Sequence, residues 1–240
     1  NSSAQEPPAS EKQATLGSLG KRTVMDVPWS VQTLSSPIIN EQQLKSVKDV
    51  YRYMPSVQGD GVRPQTRGMQ GSVVQNHMID GLNAVSTTEY PAEQFQSVEV
   101  LSGLAGSLYG PANPAGMFNL VSKRPTDTPL HRVTVGGSTG NGTLTSMDFS
   151  GPIDDGDRVK YRLNLLNDEG HGYTSGSHKR RQYAGLGLDF QLTDKTVLES
   201  NFSYYHYYEK GMPGSFALAK GVQFPSAFDP TNSKYGQSYA

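Results

Sequence analysis

Residues 97–125 read SVEVLSGLAGSLYGPANPAGMFNLVSKRP. Val98 and Val100 alternate with polar neighbours and run into Gly103, Gly106 and Gly110. Pro111, Pro114 and Gly116 follow, and a second apolar run, Met117 onward, closes on Lys123, Arg124 and Pro125. The pattern is strand, glycine-rich turn, proline-bounded loop, strand. Glycines crowded this closely mean backbone in unusual angles or packed tightly against another surface.

The rest of the chain narrows the class. Its 240 residues suffice for one or two domains. Lys+Arg 21 against Asp+Glu 22 leaves no basic excess, so a general nucleic-acid surface is disfavoured. Cysteine is absent, which removes disulfide scaffolds and thiolate metal sites. Gly 26 and Tyr 13, with many Ser, Thr and Asn, give a β-rich, turn-rich texture. No apolar run reaches the length of a membrane helix, which says nothing against a barrel, whose strands alternate. The chain opens on Asn1 without a charged apolar leader, as expected of a processed form or a fragment.

Residues 1–19 are polar, carry Pro7-Pro8 and are expected to form a flexible tail. Residues 24–35 alternate around Pro28 and read as extended. Asn40 with Gln43 resembles a capping box, and Leu44, Val47, Val50, Tyr51 and Met54 follow at helical spacing until Pro55. That spacing predicts one amphipathic helix whose apolar stripe is core. From 56 to 92 the chain breaks into short β-like pieces between Gly59, Gly61, Gly68, Gly71 and Gly81. Val73-Val74 and Met78-Ile79 are the strand candidates, and 83–90 is a polar turn. Residues 20–127 are therefore expected to form a small mixed α+β domain.

After Pro125 the period changes to two. Val159, Tyr161, Leu163 and Leu165 alternate with Arg158, Lys160, Arg162 and Asn164. Ala184, Leu186, Leu188, Phe190 and Leu192 alternate with Gly185, Gly187, Asp189 and Gln191. Met147 and Phe149 oppose Asp148 and Ser150, while Leu198, Phe202 and Tyr204 oppose Glu199, Asn201 and Ser203. With residues 131–137 this predicts about five strands of about ten residues, enough to cross a bilayer at a tilt. Tight turns are expected at 152–157 and 193–195, with a longer polar loop at 169–181 and a long irregular segment from 209 to 240. A soluble sandwich shares the alternation. The turn asymmetry, the pile of Tyr204, Tyr205, Tyr207 and Tyr208 at one strand end, and cations on the face opposite the aliphatics favour an outer-membrane barrel. Five strands cannot close such a barrel, so the chain is expected to be the amino-terminal part of a longer protein.

The quoted stretch resembles the end of the plug domain of TonB-dependent outer-membrane receptors. VPWSVQTLS, KDVYRYMPSV, Arg67-Gly68-Met69, Ile79-Asp80-Gly81, VEVL, LYG, NPAG and NLVSKRP stand in that family's order and spacing. Within the family the chain is most similar to the ferric-siderophore receptors. The resemblance implies a plug at 20–127, a barrel of about 22 strands begun at 128–240 and a periplasmic tail at 1–19. It departs from the family at Gln96, Ser97 and Ser102, where arginine or an acidic-basic pair is usual, and at Gly103-Leu104-Ala105-Gly106. Fewer charge pairs holding the plug are expected in consequence, with Arg67 the remaining plug-side candidate. Residues 1–19 are shorter than the additional signalling domain of some members, so a transducer role is not expected unless the chain was trimmed at its start.

The implied activity is gated transport without a chemical step. A ferric siderophore would bind in an outward vestibule, and a tail segment would add as a strand to TonB and its inner-membrane energising complex. Residues 13–19 are the candidate TonB-binding segment. Outward plug loops are expected at 59–67, 83–90 and 107–115. Arg67, Tyr90 and Tyr109 are the candidate plug contacts for an anionic or aromatic chelate, against the alternatives of a structural salt bridge and ordinary packing. Lys179 and Arg181 are the candidate barrel contacts, facing inward, while Arg180 faces outward toward lipopolysaccharide phosphate. A solvated charge run is the plainer reading of the same residues. No intrinsic cofactor or protein metal site is implied, since iron would arrive caged. Ser107 lies at the second position of GSLYG, not the third that a nucleophile elbow needs, and the five histidines lack paired ligand spacing, so an enzyme is disfavoured. Vitamin B12, haem or another metal chelate as cargo, or a surface adhesion or phage-docking barrel, are the alternatives.

Overall fold

The computed structural model describes residues 13–15, 21–23, 30–58, 64–66, 69–70, 73, 76–102, 116–138, 141–172, 175–211 and 221. The chain divides into two compact units, Asn1–Arg124 and Pro125–Ala240.

In the first unit β1 (Gln13–Thr15) pairs antiparallel with β2 (Lys21–Thr23). β3 (Ser30–Ser35) precedes α1 (Ser36–Glu41) and α2 (Val47–Tyr51). The small strands β4 (Val57–Gln58), β5 (Gln65–Thr66) and β6 (Met69–Gln70) form a three-stranded sheet. Then come β7 (His77–Ile79), β8 (Leu82–Asn83), a 3-10 turn at Ala92–Gln94, β9 (Phe95–Ser102) and β10 (Met117–Ser122). The main sheet has the order β3-β9-β10-β7-β8, with β10 and β7 parallel and every other pair antiparallel. The two strands read from residues 97–125 are thus its centre. Val98, Val100, Leu101, Phe118 and Leu120 are all buried there.

The single helix expected over residues 40–54 is replaced by two short ones. Gln43 takes a left-handed φ of 52°, which ends α1. The operative capping box is Ser46 with Asp49, each accepting from the other's backbone N–H, and not Asn40 with Gln43. The apolar stripe nevertheless does its expected job: Leu44, Val47, Val50, Tyr51 and Met54 all pack in the core with Phe95, Val98 and Phe118. Burial of those side chains, more than helical hydrogen bonding, holds this segment.

Two glycine-bearing motifs fix the centre of the sheet. Asp80 and Gly81 have φ of 51° and 80°, the two-residue hairpin geometry that Asp-Gly favours, and they join β7 to β8. That hairpin is clamped onto β10: Ser122 N–H donates to Asp80 Oδ1 at 2.8 Å and Gly81 N–H to Asn119 Oδ1 at 3.1 Å. Gly116 has φ of 92°, and a Cβ there would lie 2.8 Å from the Leu101 carbonyl oxygen. Its own carbonyl accepts from Asn76 Nδ2 at 2.6 Å.

The second unit is one antiparallel meander of β11 (Leu130–Ser138), β12 (Gly142–Pro152), β13 (Val159–Gly170), β14 (His178–Thr193) and β15 (Thr196–Lys210). All five expected strands are present. The polar loop expected at 169–181 is shorter, spanning 171–177, because Glu169 and Gly170 still pair with Arg180 and Lys179. Ladder bonds use backbone groups, so a run of charges does not end a strand by itself. The segment expected to be irregular from 209 likewise begins inside β15. At the other end Asp154 closes its turn by accepting from Val159 N–H at 2.9 Å, and β14 reverses into β15 through residues 194–195.

Replacing Gly116 with Ala is expected to destabilise the first unit by about 2 kcal/mol, the sum of left-handed strain and the clash with Leu101. Faster hydrogen exchange in β9 and β10 of the full-length protein is the measurable sign, and unchanged exchange contradicts it.

Candidate functional site

The meander presents two faces of opposite chemistry, and the burial is inverted relative to a water-soluble sheet. One face carries Asp148, Ser150, Arg162, Asn164, Asp168, Arg181 and Tyr183, all buried. The other carries Val133, Val135, Leu198, Phe202 and Tyr204, of which Val135 is 77% and Phe202 63% exposed. Such an arrangement is unfavourable in water, because exposed apolar area costs roughly 25 cal/mol per Å². It fits a barrel wall whose outside meets lipid and whose inside is polar.

On the polar face, buried charge is neutralised across strands. Arg162 of β13 grips Asp148 of β12 with Nε–Oδ1 at 2.9 Å and Nη2–Oδ2 at 2.7 Å. Arg181 of β14 donates from Nε to Asp168 Oδ2 of β13 at 2.8 Å, and the two are direct register partners. Next to this pair Lys179 Nζ stands 5.2 Å from the Tyr207 ring centre, and the Tyr207 hydroxyl donates to Glu209. The Tyr183 ring lies along its own strand over Gly185, where a Cβ would come 2.1 Å from the Tyr183 hydroxyl oxygen. Glycine at 185 is what lets the ring lie flat.

In the first unit an aromatic cluster surrounds His77. Its ring stacks on Phe118 and Tyr90, each at 6.5 Å, and Tyr51 meets it edge-on. Among the described residues, neither the buried His77 Nδ1 nor the buried Tyr51 hydroxyl has a hydrogen-bond partner. Burial alone therefore lowers the imidazole pKa from 6.5 to about 4 and raises that of the Tyr51 phenol. On the opposite face of the sheet Glu99, 1% exposed, accepts from Asn119 Nδ2 at 3.1 Å, so Asn119 links Glu99 to the Asp80-Gly81 turn.

The candidate ligand residues fare differently. Arg67 and Tyr109 lie outside the described residues, as do most of the loops expected at 59–67 and 107–115. Tyr90 is half-buried, packed between His77 and Phe95, with its backbone carbonyl accepting from Val47 N–H. Lys179 is half-buried beside Tyr207. Arg181 lies on the polar face, 1% exposed, with its Nε donating to Asp168 Oδ2. Sequence reasoning missed the pairs Asp148–Arg162 and Asp168–Arg181. Their signal was present, as charged residues recurring on the non-aliphatic side of adjacent strands.

Comparison with known proteins agrees with this geometry. Residues 23–117 match the family model described as TonB-dependent Receptor Plug Domain. These residues thus carry a plug domain of the TonB-dependent receptors, and an antiparallel sheet follows it, the arrangement of the amino-terminal region of such receptors. Among curated relatives it is 28% identical over 215 residues to the ferrichrome outer membrane transporter/phage receptor of Escherichia coli K12, covering 82% of this chain and 28% of that protein. It is 26% identical over 238 residues to the ferrichrome receptor FcuA of Yersinia enterocolitica, covering 93% and 31% respectively. The ferripyoverdine receptor of the Pseudomonas aeruginosa outer membrane, solved with ferripyoverdine bound, superposes with a TM-score of 0.77 at 20% identity, covering 91% of this chain and 32% of that one. The chain thus spans about 30% of the length of these relatives.

Two outcomes follow. Asp168→Ala leaves Arg181 buried without its carboxylate and is expected to lower the unfolding free energy of the full-length protein in detergent by about 3–5 kcal/mol, whereas Asp168→Leu with Arg181→Met loses much less. A single variant as stable as the parent contradicts the pairing. Because His77 titrates lower folded than unfolded, its contribution is complete above pH 6.5 and is lost as pH falls toward about 4. That loss is worth about 3 kcal/mol. Hydrogen exchange in β9 and β10 should rise over that window and do so less in His77→Phe.

Proposed function

We propose that the whole protein is an outer-membrane receptor that binds a ferric siderophore and imports it with energy delivered through TonB. The inverted sheet, polar where buried and apolar where exposed, is the observation that carries this reading, since it suits a wall between lipid and a polar lumen. The plug domain and relatives named for ferrichrome support the cargo class, and those relatives are transporters and receptors, not enzymes.

The ligand-facing surface in this reading comprises Arg67, Tyr90 and Tyr109 on the plug and Lys179 on the wall. Lys179, half-buried beside Tyr207 and opposite Glu209 in register, is the more accessible cation of its pair. Arg181 serves by holding Asp168 and the end of β14 in place. The N-terminal tail sits in the periplasm, where residues 13–19 meet TonB. Its backbone at Gln13–Thr15 is already extended and strand-paired, the form in which a segment adds to a partner's sheet edge. Binding of the chelate would alter the plug and make that segment available, and pulling on it would open the path.

Cells making the full-length protein should accumulate labelled ferric siderophore when TonB is functional and fail to when it is not. Equal accumulation in both overturns active transport. Lys179→Ala is expected to weaken chelate binding several-fold, more at low salt than at high.

A further inference from the structure

Between α1 and α2 the local sequence and the structure disagree, and such conflicts mark strained or functional elements. α1 ends in a hydrogen-bonded stop: Gln43 N–H donates to the Asn40 carbonyl at 3.1 Å and Leu44 N–H to the Ile39 carbonyl at 3.0 Å. The residue that turns left-handed in such a stop is usually glycine. Here it is Gln43, exposed and at a φ of 52°. Glutamine is strained in that conformation, whereas inside a helix it is a good former.

The break is also held from outside the helices. Val47 N–H donates to the Tyr90 carbonyl at 3.2 Å, Ala92 N–H donates to the Lys45 carbonyl at 3.1 Å, and Ser46 bridges antiparallel to Pro91. Residues 45–47 are thus clasped against residues 90–92. Tyr90 in turn stacks on His77 and meets Phe95 edge-on. The Tyr53 hydroxyl donates to Gln42 Oε1 at 3.2 Å. That contact closes only while the segment is broken, because residues eleven apart in one helix stand about 16 Å apart along its axis.

We propose that residues 36–51 form a two-state switch, with α1 and α2 separate while the clasp to residues 90–92 is closed and joined as one helix when it opens. The proposal rests on the transport reading and names how that site is regulated, since Tyr90 both faces the ligand there and holds α2 through its carbonyl. The joined form is well founded in the sequence. At about 100° per residue, Ile39, Leu44, Val47, Val50 and Tyr51 fall within a stripe of about 140°, so these core side chains still share one face. Pro37 stays in the first turn, where proline is tolerated. Joining exchanges the clasp and the stop for helical bonds across residues 43–47 and relieves Gln43. α1 directly follows β3, an edge strand of the main sheet, and residues 1–29 lead into β3. Straightening therefore moves the point at which a pull on the tail enters the sheet. A chelate that draws Tyr90 from its stack on His77 supplies the trigger.

Spin labels on Glu41→Cys and Arg52→Cys, in the full-length receptor otherwise free of cysteine, report the switch. Both positions are exposed, and a straight helix sets them about 17 Å apart. Gln43→Gly removes the strain of the stop, so it should keep the wild-type separation and favour that state about tenfold more. Ser46→Ala with Tyr90→Ala removes the cap of α2 and loosens the clasp. It should shift the balance at least about tenfold the other way, moving the separation to that of the straight helix. A double variant that keeps the wild-type separation overturns the proposal, as does a Gln43→Gly receptor that takes the straight-helix one. If the double variant does not assemble, Ser46→Ala alone is read by hydrogen exchange, which should slow at residues 44–47; exchange that is unchanged or faster overturns it too. Gln43→Gly should also import labelled ferrichrome several-fold more slowly while binding it as the wild type does, and import at the wild-type rate overturns the regulation. Labels that respond as expected in a receptor that imports no ferrichrome count against the cargo reading only. Ferrichrome import with labels that never move counts against the switch only.

Discussion

A guanidinium taken out of water must be met by a counter-charge, and on one face of the meander two are met this way. Arg162 is gripped by Asp148 through two hydrogen bonds, and Arg181 by Asp168 through its Nε. Each pair ties neighbouring strands, so β12 to β14 are linked by charge as well as by ladder. Such pairs contribute little net stability over apolar residues of similar volume, but breaking one is costly. Their effect is to make this face the one turned from bulk water. The aliphatic and aromatic face is left outside, and only a non-aqueous surrounding makes that acceptable. The barrel reading follows from this constraint.

The first unit is organised by different means. Its core is ordinary in chemistry, with Val98, Val100, Phe118 and Leu120 packed against α1, α2 and the turn that follows. Its individuality lies in backbone and polar detail. Asp80-Gly81 turns tightly and is fastened to β10, Gly116 admits no side chain, and Glu99 is buried beside Asn119. A histidine whose Nδ1 has no partner among the described residues sits in the middle of the aromatic cluster. These features set the plug motifs of the sequence in one sheet and make the unit sensitive to acid.

Much of this was legible beforehand because it is local or periodic. Period two along β11 to β15 placed every strand and assigned its faces, and Gly81 and Gly116, where the sequence pattern breaks, take positive φ. The central strands came from the quoted stretch at 97–125. What could not be read was competition between local signals. The helical spacing from Leu44 to Met54 was real as a burial pattern, yet a left-handed Gln43 and the Ser46–Asp49 box divided the segment. Charge at 178–181 was read as loop, whereas the ladder ran through it. The charges of the polar face stand out in the alternation, but which carboxylate meets Arg181 depends on register between strands, which alternation alone does not set. The parallel pairing of β10 with β7 has no local signature either, since it joins residues about forty apart.

The central claim is that the meander stands between lipid and a polar interior. Single cysteines at residues 183–190 of the full-length receptor, spin-labelled and reconstituted into bilayers, report it directly through collisions with oxygen and with a water-soluble nickel complex. The account predicts accessibility alternating with period two, oxygen favoured at 184, 186, 188 and 190 and suppressed at the positions between. Uniform access, or the polar reagent favoured at the even positions, would contradict it.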